Sequence, residues 1–222
     1  MIIELKDIHK KYGSKQVLKG VNLTAESGKC IGILGGNGSG KSTLLSILAG
    51  IQSSNAGQFL INGKDLFKLS SDRARLVGYV PQGTPLLEEL TAYDNLLLWY
   101  DRATMKKELE SGFLKMLGIN EFLKVTVSKM SGGMKKRLSI GCAISKRPPI
   151  LLLDEPMAAL DIACKQNISD YIKDHKKAGG IVLLATHDVL ELELCDEWYI
   201  MKNGVLSPFN YTGNIEELVK SL

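Results

Sequence analysis

The sequence has little of what marks membrane-spanning or secreted proteins. No apolar run approaches the roughly 20 residues that a membrane-crossing helix needs. The first ten residues, MIIELKDIHK, carry charges where a secretory signal has an apolar stretch. We therefore expect the chain to stay in the cytoplasm.

Cysteine is also scarce, and the four cysteines are widely scattered. None of them stands in a C-x-x-C pair, which argues against a zinc site or a disulfide framework. We expect reduced thiols in a core at Cys30, Cys142, Cys164 and Cys195.

A strong charge of either sign is missing as well. The net charge is +4 and dispersed, so composition gives no reason to expect a nucleic-acid partner. The chain has 222 residues, of which 45% are hydrophobic and 23% charged. This composition is typical of a globular protein with a substantial core.

Short apolar and β-branched runs predict eight strands in a mixed α/β fold. The early runs follow one another closely, with Asn62-Gly63 as a hairpin turn, whereas the later runs alternate with helical stretches. The predicted strands are 2–8, 17–25, 29–34, 58–61, 77–80, 150–153, 181–185 and 197–201.

One part of the chain gives almost purely helical signals, namely 83–146. We therefore predict a single domain in which a helical subdomain, 83–146, is inserted into an α/β core formed by 1–82 and 147–222. The closely spaced early strands add an antiparallel β subdomain near the N-terminus.

Residues 34–45, LGGNGSGKSTLL, place four glycines and a lysine between a predicted strand and a predicted helix. Gly35, four further residues, and then Gly40-Lys41-Ser42 match G-x-x-x-x-G-K-[ST], the loop whose backbone N–H groups surround nucleotide phosphates. Lys41 is expected to reach the β- and γ-phosphates, and the Ser42 hydroxyl to ligate Mg²⁺. The expected nucleotide-binding residues here are Gly35, Gly36, Asn37, Gly38, Ser39, Gly40, Lys41, Ser42 and Thr43.

Two adjacent carboxylates follow the buried strand pattern of ILLLDEP, residues 150–156. The end of the strand turns Asp154 and Glu155 in different directions, which suits them to different tasks. Asp154 can hold Mg²⁺ together with Ser42, and Glu155 can orient or deprotonate the attacking water. The alternative is a purely structural role, in which the pair caps the next helix or faces solvent.

A second glycine pair, in SGGMKKR at 131–137, precedes another helical pattern, and a helix N-terminus suits an anion. With these motifs in this order, the chain resembles the ATP-binding cassette (ABC) ATPases, P-loop NTPases, over essentially its whole length. Their signature usually reads Leu-Ser-Gly-Gly-Gln. Ser131, Gly132 and Gly133 match it, whereas Met130 and Met134 replace the leucine and the glutamine.

Four further residues match positions of that family. Tyr12, in KKYG, matches the aromatic residue that stacks on adenine, and Gln82, in GYVPQ, matches a glutamine with catalytic and Mg²⁺-binding roles. Asp161, in AALD, matches a loop that crosses between subunits, and His187, after IVLLAT, matches the catalytic switch histidine near the γ-phosphate. Taken singly, they also read as a turn aromatic, a loop amide, a helix N-cap and a capped core histidine.

The resemblance implies that two cassettes pair head to tail with ATP between them. Ser131, Gly132 and Gly133 of one cassette, with Asp161 close by, would then meet the nucleotide held by the partner's loop. ATP would close the pair and hydrolysis would release it. A homodimer and a heterodimer both remain open, because Met134 removes the usual amide.

The resemblance also implies the ATP-hydrolysing subunit of a transporter, peripheral on the inner face of the cell membrane and docked to a separate transmembrane subunit. The stretch 87–99, LEELTAYDNLLLW, is similar to that of ABC-2-type exporters, so we expect export rather than import. The alternative is a non-transport ABC ATPase that remodels a nucleic-acid or ribosomal complex. A simple nucleotide kinase has no place for the second glycine pair, Gln82 or His187.

Within that stretch, Thr91 and Asp94 predict a helix start. Leu98 and Trp99 lie off the main apolar stripe of this helix, where they either serve a partner or belong to a two-faced core helix. The stripe itself is Tyr93, Leu96, Leu97 and Tyr100.

Overall fold

The structure is a computed structural model that describes residues 1–214, 218 and 220. The predicted core segment 147–222 therefore runs partly outside the described residues. The strands are β1 Ile2–Tyr12, β2 Lys15–Glu26, β3 Cys30–Leu34, β4 Ala56–Ile61, β5 Lys64–Asp65, β6 Val77–Val80, β7 Ile150–Asp154, β8 Ile181–Thr186, β9 Glu197–Lys202 and β10 Val205–Phe209. The α-helices are α1 Lys41–Ala49, α2 Ser70–Leu76, α3 Ala92–Leu97, α4 Arg102–Ser111, α5 Phe113–Met116, α6 Gly132–Ala143, α7 Ile162–Lys177 and α8 Val189–Leu192, and 3₁₀ turns lie at Ile119–Glu121 and Val127–Lys129.

The N-terminal strands form an antiparallel sheet in the order β2-β1-β4-β5. Alternating residues of β1 point into the core, where Ile3, Leu5 and Ile8 are buried, and a bulge lies between Leu5 and Ile8. The predicted hairpin at Asn62-Gly63 is confirmed, because both residues have positive φ and they join β4 to β5.

The second sheet has six strands in the order β10-β9-β3-β8-β7-β6, and all its pairs are parallel except β10 with β9. Every residue of β3, β7 and β8 is buried, as expected for parallel strands covered on both faces. Leu151 and Leu153 face a core cluster shared with the helical segment, whereas Ile150 and Leu152 face a cluster shared with the antiparallel sheet. One sheet thus separates two cores and carries loops at its carboxyl edge.

The eight predicted strands are all present, some longer than predicted, and helices α3 to α6 fall within the predicted helical segment. The division at 82/83 and 146/147 stays a prediction. Two strands and one helix were missed. β5 has only two residues, β10 contains Pro208, and α2 buries no residue and so has no apolar stripe to detect.

The start of α3 is confirmed by a capping box. The Thr91 side chain accepts from the Asp94 N–H, and the Asp94 carboxylate accepts from the Thr91 N–H. The predicted stripe is wrong at Tyr93, which is 37% exposed, although Leu96 and Tyr100 are buried. The reason is that Asn95 takes the buried face, where its side chain bonds the backbone of Leu87 and Thr91.

All four cysteines are buried free thiols, as predicted. Within the part of the chain that the structure describes, none of the helices has the length and apolarity of a membrane-spanning segment.

One half-buried histidine makes the stability of the fold sensitive to acid. His175 lies in the last turn of α7, its ring stacks on Tyr171, and a Cβ at Gly180 would lie 2.1 Å from its Nε2, so only glycine fits there. Burial lowers the pKa of His175 from its ordinary value of 6.5, against a smaller opposing effect of backbone hydrogen bonds. The folded state therefore favours neutral imidazole.

We expect His175→Gln to reduce the loss of stability in acid. As pH falls through 6.5, the unfolded state takes up a proton that the folded state resists, so the contribution of His175 is present above 6.5 and is lost below it. Urea unfolding of both proteins between pH 8 and pH 5.5 measures this. Identical acid slopes for the two proteins would contradict it.

Candidate functional site

The glycine-rich loop 35–40 connects β3 to α1 at the carboxyl edge of the parallel sheet. Gly40 has φ 117, and a Cβ there would lie 2.9 Å from Leu18 Cδ2, so a side chain is excluded. Because Gly40 is also the N-cap of α1, no side chain caps the first N–H groups of that helix. These groups and the positive end of the helix dipole suit a phosphate.

Lys41 lies over this loop. Its side chain is buried, and Nζ donates to the carbonyl oxygens of Gly35 at 2.6 Å and Gly36 at 3.2 Å. Burial lowers the pKa of Lys41, whereas the carboxylates of Glu155 and Asp154 raise it. The loop thus holds one ammonium group at its centre, next to two negative charges.

Asp154 ends β7 and is 2% exposed. Burial raises the pKa of Asp154, while a hydrogen bond from Ser42 and the charges of Lys41 and Lys136 lower it. Its Oδ2 atom is buried and has no hydrogen-bond partner among the described residues. A hydroxyl next to an unpaired carboxylate oxygen is a donor set that fits Mg²⁺, which prefers oxygen ligands.

Glu155 occupies the turn directly after β7. Its φ of 48 is in the left-handed region, which costs a non-glycine residue about 1–2 kcal/mol. Glu155 and Asp154 have different hydrogen-bond partners, since Asp154 bonds Ser42. Glu155 Oε2 accepts from Gln82 Nε2 at 3.0 Å, and Oε1 lies 2.8 Å from His187 Nδ1.

Three residues from distant parts of the chain therefore meet at one carboxylate. Gln82 follows β6, Glu155 follows β7 and His187 follows β8, and these strands are neighbours in the sheet. Carboxyl ends of adjacent parallel strands share one edge, which explains the convergence. Lys41 and Ser42 reach the same edge from the start of α1.

The other predicted site residues make their hydrogen bonds elsewhere. Ser131 is the N-cap of α6, where its Oγ accepts from the Met134 N–H at 3.2 Å, and it is exposed with Gly132. Asp161 is the N-cap of α7 and accepts from the Cys164 N–H at 2.8 Å, so its side chain has the structural role of a helix cap. Tyr12 ends β1, and its hydroxyl donates to Gln52.

Two buried charged residues near this site were missed from the sequence. Lys136 in α6 donates to three backbone carbonyls around the site, and helical spacing from the buried Ser139 and Ile140 is the signal that could have found it. Glu191 in α8 accepts from the Met157 N–H at 3.1 Å, and burial raises its pKa. No sequence signal marked Glu191.

The fold and the site define a nucleotide-binding P-loop NTPase with an added antiparallel sheet and a helical insert. A family model described as "ABC transporter" matches residues 18–158. The chain belongs to this family, and it is an ATP-binding cassette with ATPase activity. The predicted family and fold class are thereby confirmed.

Individual relatives have different named roles. The linearmycin resistance ATP-binding protein LnrL of Bacillus subtilis (strain 168) is 31% identical, over 91% of this chain and 67% of its own. The spermidine/putrescine import ATP-binding protein PotA of Spiroplasma citri is 36% identical, over 92% of this chain and 60% of its own. The chain therefore spans about two thirds or less of these two relatives.

Among solved structures, the chain is similar to the dimeric post-hydrolysis state of the ATP-binding cassette MJ0796 bound to ADP and Pi. The TM-score is 0.80 at 28% identity, with 94% of this chain and 99% of that chain covered.

We predict that Tyr12 contributes to ATP affinity and not to the rate of hydrolysis. Tyr12 is 47% exposed, which leaves part of the side chain accessible to a base, and Lys10 Nζ lies over its ring, 5.0 Å from the centroid. Stacking of a base on an aromatic ring is worth about 1–3 kcal/mol, so we expect Tyr12→Ala to raise the KM for ATP roughly 5- to 150-fold and to leave kcat nearly unchanged.

Steady-state ATPase kinetics measure both constants. Tyr12→Phe is the matched control, because it keeps the ring and removes the hydroxyl that bonds Gln52. The control should retain a wild-type KM. An unchanged KM in Tyr12→Ala would place Tyr12 outside the binding pocket.

Proposed function

We propose that this chain hydrolyses ATP at sites shared between two cassettes and uses the cycle to drive transport through a separate membrane subunit. The observation that carries the proposal is the Glu155 carboxylate held between Gln82 and His187, beside the buried Lys41 and Asp154. This is the arrangement of a positioned proton acceptor next to a phosphate-binding loop.

In this proposal each residue has a separate task. The loop N–H groups and Lys41 would bind the phosphates, and Ser42, Asp154 and Gln82 would hold Mg²⁺. The metal, when bound, neutralises charge on the phosphate oxygens. Glu155 accepts a proton from the attacking water as the water oxygen forms its bond to the γ-phosphorus, and the bond between that phosphorus and the β–γ bridging oxygen breaks, so that ADP leaves with the bridging oxygen and its electron pair.

The contacts of Glu155 are compatible with that task. Each carboxylate oxygen has two lone-pair sites, so Oε1 beside His187 and Oε2 beside Gln82 each retain one site for a water. The two contacts fix the direction of the carboxylate. His187 is further suited to the γ-phosphate because most of its side chain is exposed.

A second cassette supplies the other wall of the site. Ser131, Gly132 and Gly133 stand at the N-terminus of the twelve-residue helix α6, and Ser131 and Gly132 face solvent. Their exposure leaves them available to the γ-phosphate on a partner. The loop that carries Asp161 lies next to them, because a Cβ on Gly133 would lie 3.3 Å from the carbonyl oxygen of Ala159 in that loop. We propose a homodimer; a heterodimer with a cassette that has an intact signature is the alternative.

The membrane subunit is proposed to dock in a cleft between the α/β core and the helical segment. The cleft has a volume of about 310 Å³, and its rim carries Ile51, 67% exposed, and Trp99, 52% exposed. Apolar side chains at a cleft are typical of a protein-binding site. Pro81 also lines it, next to Gln82, which gives a docked segment access to the nucleotide state.

We propose export as the direction of transport, from the similarity of 87–99 to ABC-2-type exporters. The names of the relatives point both ways, to resistance and to import. The chain is proposed to work on the cytoplasmic face of the cell membrane.

Glu155→Gln should separate ATP binding from hydrolysis. The substitution keeps shape and hydrogen-bonding reach and removes the proton acceptor, so we expect kcat to fall about 10²- to 10⁴-fold. ATP should then stay intact between two cassettes. Size-exclusion chromatography should give a dimer with ATP and Mg²⁺ and a monomer with ADP.

Lys41→Ala is the matched control for the dimer, because it removes a phosphate ligand and should stay monomeric with ATP. Full ATPase activity in Glu155→Gln would remove Glu155 from catalysis. An inactive variant that binds ATP and stays monomeric would favour an obligatory heterodimer.

The docking cleft predicts a membrane partner. Tagged chain, expressed in its own cells and purified from detergent-solubilised membranes, should retain an integral membrane protein. The double variant Ile51→Ser, Trp99→Ala should lose that protein and keep the ATPase activity of the isolated cassette. Retention of ribosomal or nucleic-acid components by the wild type instead would support the non-transport alternative.

A further inference from the structure

Lys136 is a lysine in an unusual environment. It lies in the first half of α6 and is 4% exposed, whereas lysine is almost always exposed unless it is paired. Its Nζ atom donates to the carbonyl oxygens of Pro81 at 2.9 Å, Gln82 at 3.4 Å and Asp154 at 3.5 Å. Three acceptors match the three N–H donors of an ammonium group.

These carbonyls belong to the two backbone segments whose side chains meet at the site. One segment carries Gln82, and the other ends at Asp154, directly before Glu155. The Gln82–Glu155 hydrogen bond of 3.0 Å therefore spans two pieces of backbone that the same ammonium group holds together. The carbonyls of Gln82 and Asp154 are hydrogen-bonded to the same ammonium group. This shared contact fixes the distance between the two backbone segments.

The charge of Lys136 is balanced by the site. Burial lowers the pKa of Lys136, whereas the nearby carboxylates of Asp154, Glu191 and Glu155 raise it. The adjacent Lys135 has a different environment, because its Nζ pairs with the exposed carboxylate of Glu88 at 3.0 Å. Neighbouring lysines of one helix thus provide a test residue and a matched control.

We propose that Lys136 is a positioning residue that sets the contact between Gln82 and Glu155 and links it to α6. The same helix begins with Gly132 and Gly133, so displacement of α6 on cassette pairing is transmitted through one side chain to the carboxylate that accepts the proton. Hydrolysis then depends on the position of α6 in the same chain. This inference rests on the role of Glu155 proposed above.

The test begins with Lys136→Met, which keeps the length and apolar stem of the side chain and removes the donors. Displacement of reacting groups by about 1 Å costs up to roughly 10²-fold in rate, so we expect kcat for ATP to fall about 10- to 100-fold. The affinity for ATP, measured with a fluorescent nucleotide, should change less than about threefold, because Lys41 and the glycine-rich loop are untouched. Lys135→Met should change neither constant.

A double-mutant cycle with Gln82→Ala separates positioning from a general structural role. If Lys136 acts by placing the Gln82 side chain on Glu155, its loss costs nothing further once that side chain is gone. The double variant should then have a kcat within about threefold of the slower single variant. Multiplicative effects in the cycle, or a wild-type kcat in Lys136→Met, would overturn the proposal.

Lys136→Gln covers the case in which the methionine variant does not fold. The neutral amide still donates hydrogen bonds with a shorter reach, so the kcat of Lys136→Gln should lie between those of the wild type and Lys136→Met. If Lys136→Met is unfolded, the kcat of Lys136→Gln should simply be below that of the wild type. The same cycle with Gln82→Ala then decides the question. Full activity in Glu155→Gln would defeat the proposed function itself, whereas an inactive Glu155→Gln with a multiplicative cycle would defeat only the role of Lys136.

Discussion

Two carboxylates buried at the carboxyl end of β7 are the constraint on which the rest of the site depends. An unpaired buried charge is costly, so Asp154 and Glu155 require compensation nearby. Lys41 and Lys136 provide it from opposite sides, one from α1 and the other from α6. The electrostatic balance of the site therefore also fixes how two helices from different parts of the chain lie against the central strand.

Much of the fold could be predicted because its elements follow strong local rules. The buried strands read as continuous apolar runs, and Asn62-Gly63 and the Thr91–Asp94 box have side chains or backbone preferences that specify their turns. α2, β5 and β10 could not be predicted, since none of them presents an apolar period to the core. The burial of Asn95 could not be predicted either, because it depends on hydrogen bonds to the backbone of Leu87, which only the folded chain brings near.

The candidate site divides in a similar way. Residues within a contiguous motif, such as Lys41 and Asp154, could be found from spacing, and the meeting of Gln82, Glu155 and His187 follows from the order of strands β6, β7 and β8. Helical spacing could have placed Lys136 on the buried face of α6, but its partners could not be found, because they are backbone carbonyls, which have no signature in sequence. Side-chain chemistry can be read along a chain, whereas the acceptors that a fold assembles from its backbone cannot.

The left-handed backbone of Glu155 has a consequence for how this protein can change. Glycine is the residue that this conformation favours, and a glycine there would make the turn easier to form. It would also remove the carboxylate that Gln82 and His187 hold. Selection for thermal stability alone would thus favour the loss of the proposed proton acceptor, so that stability and activity are opposed at this single position.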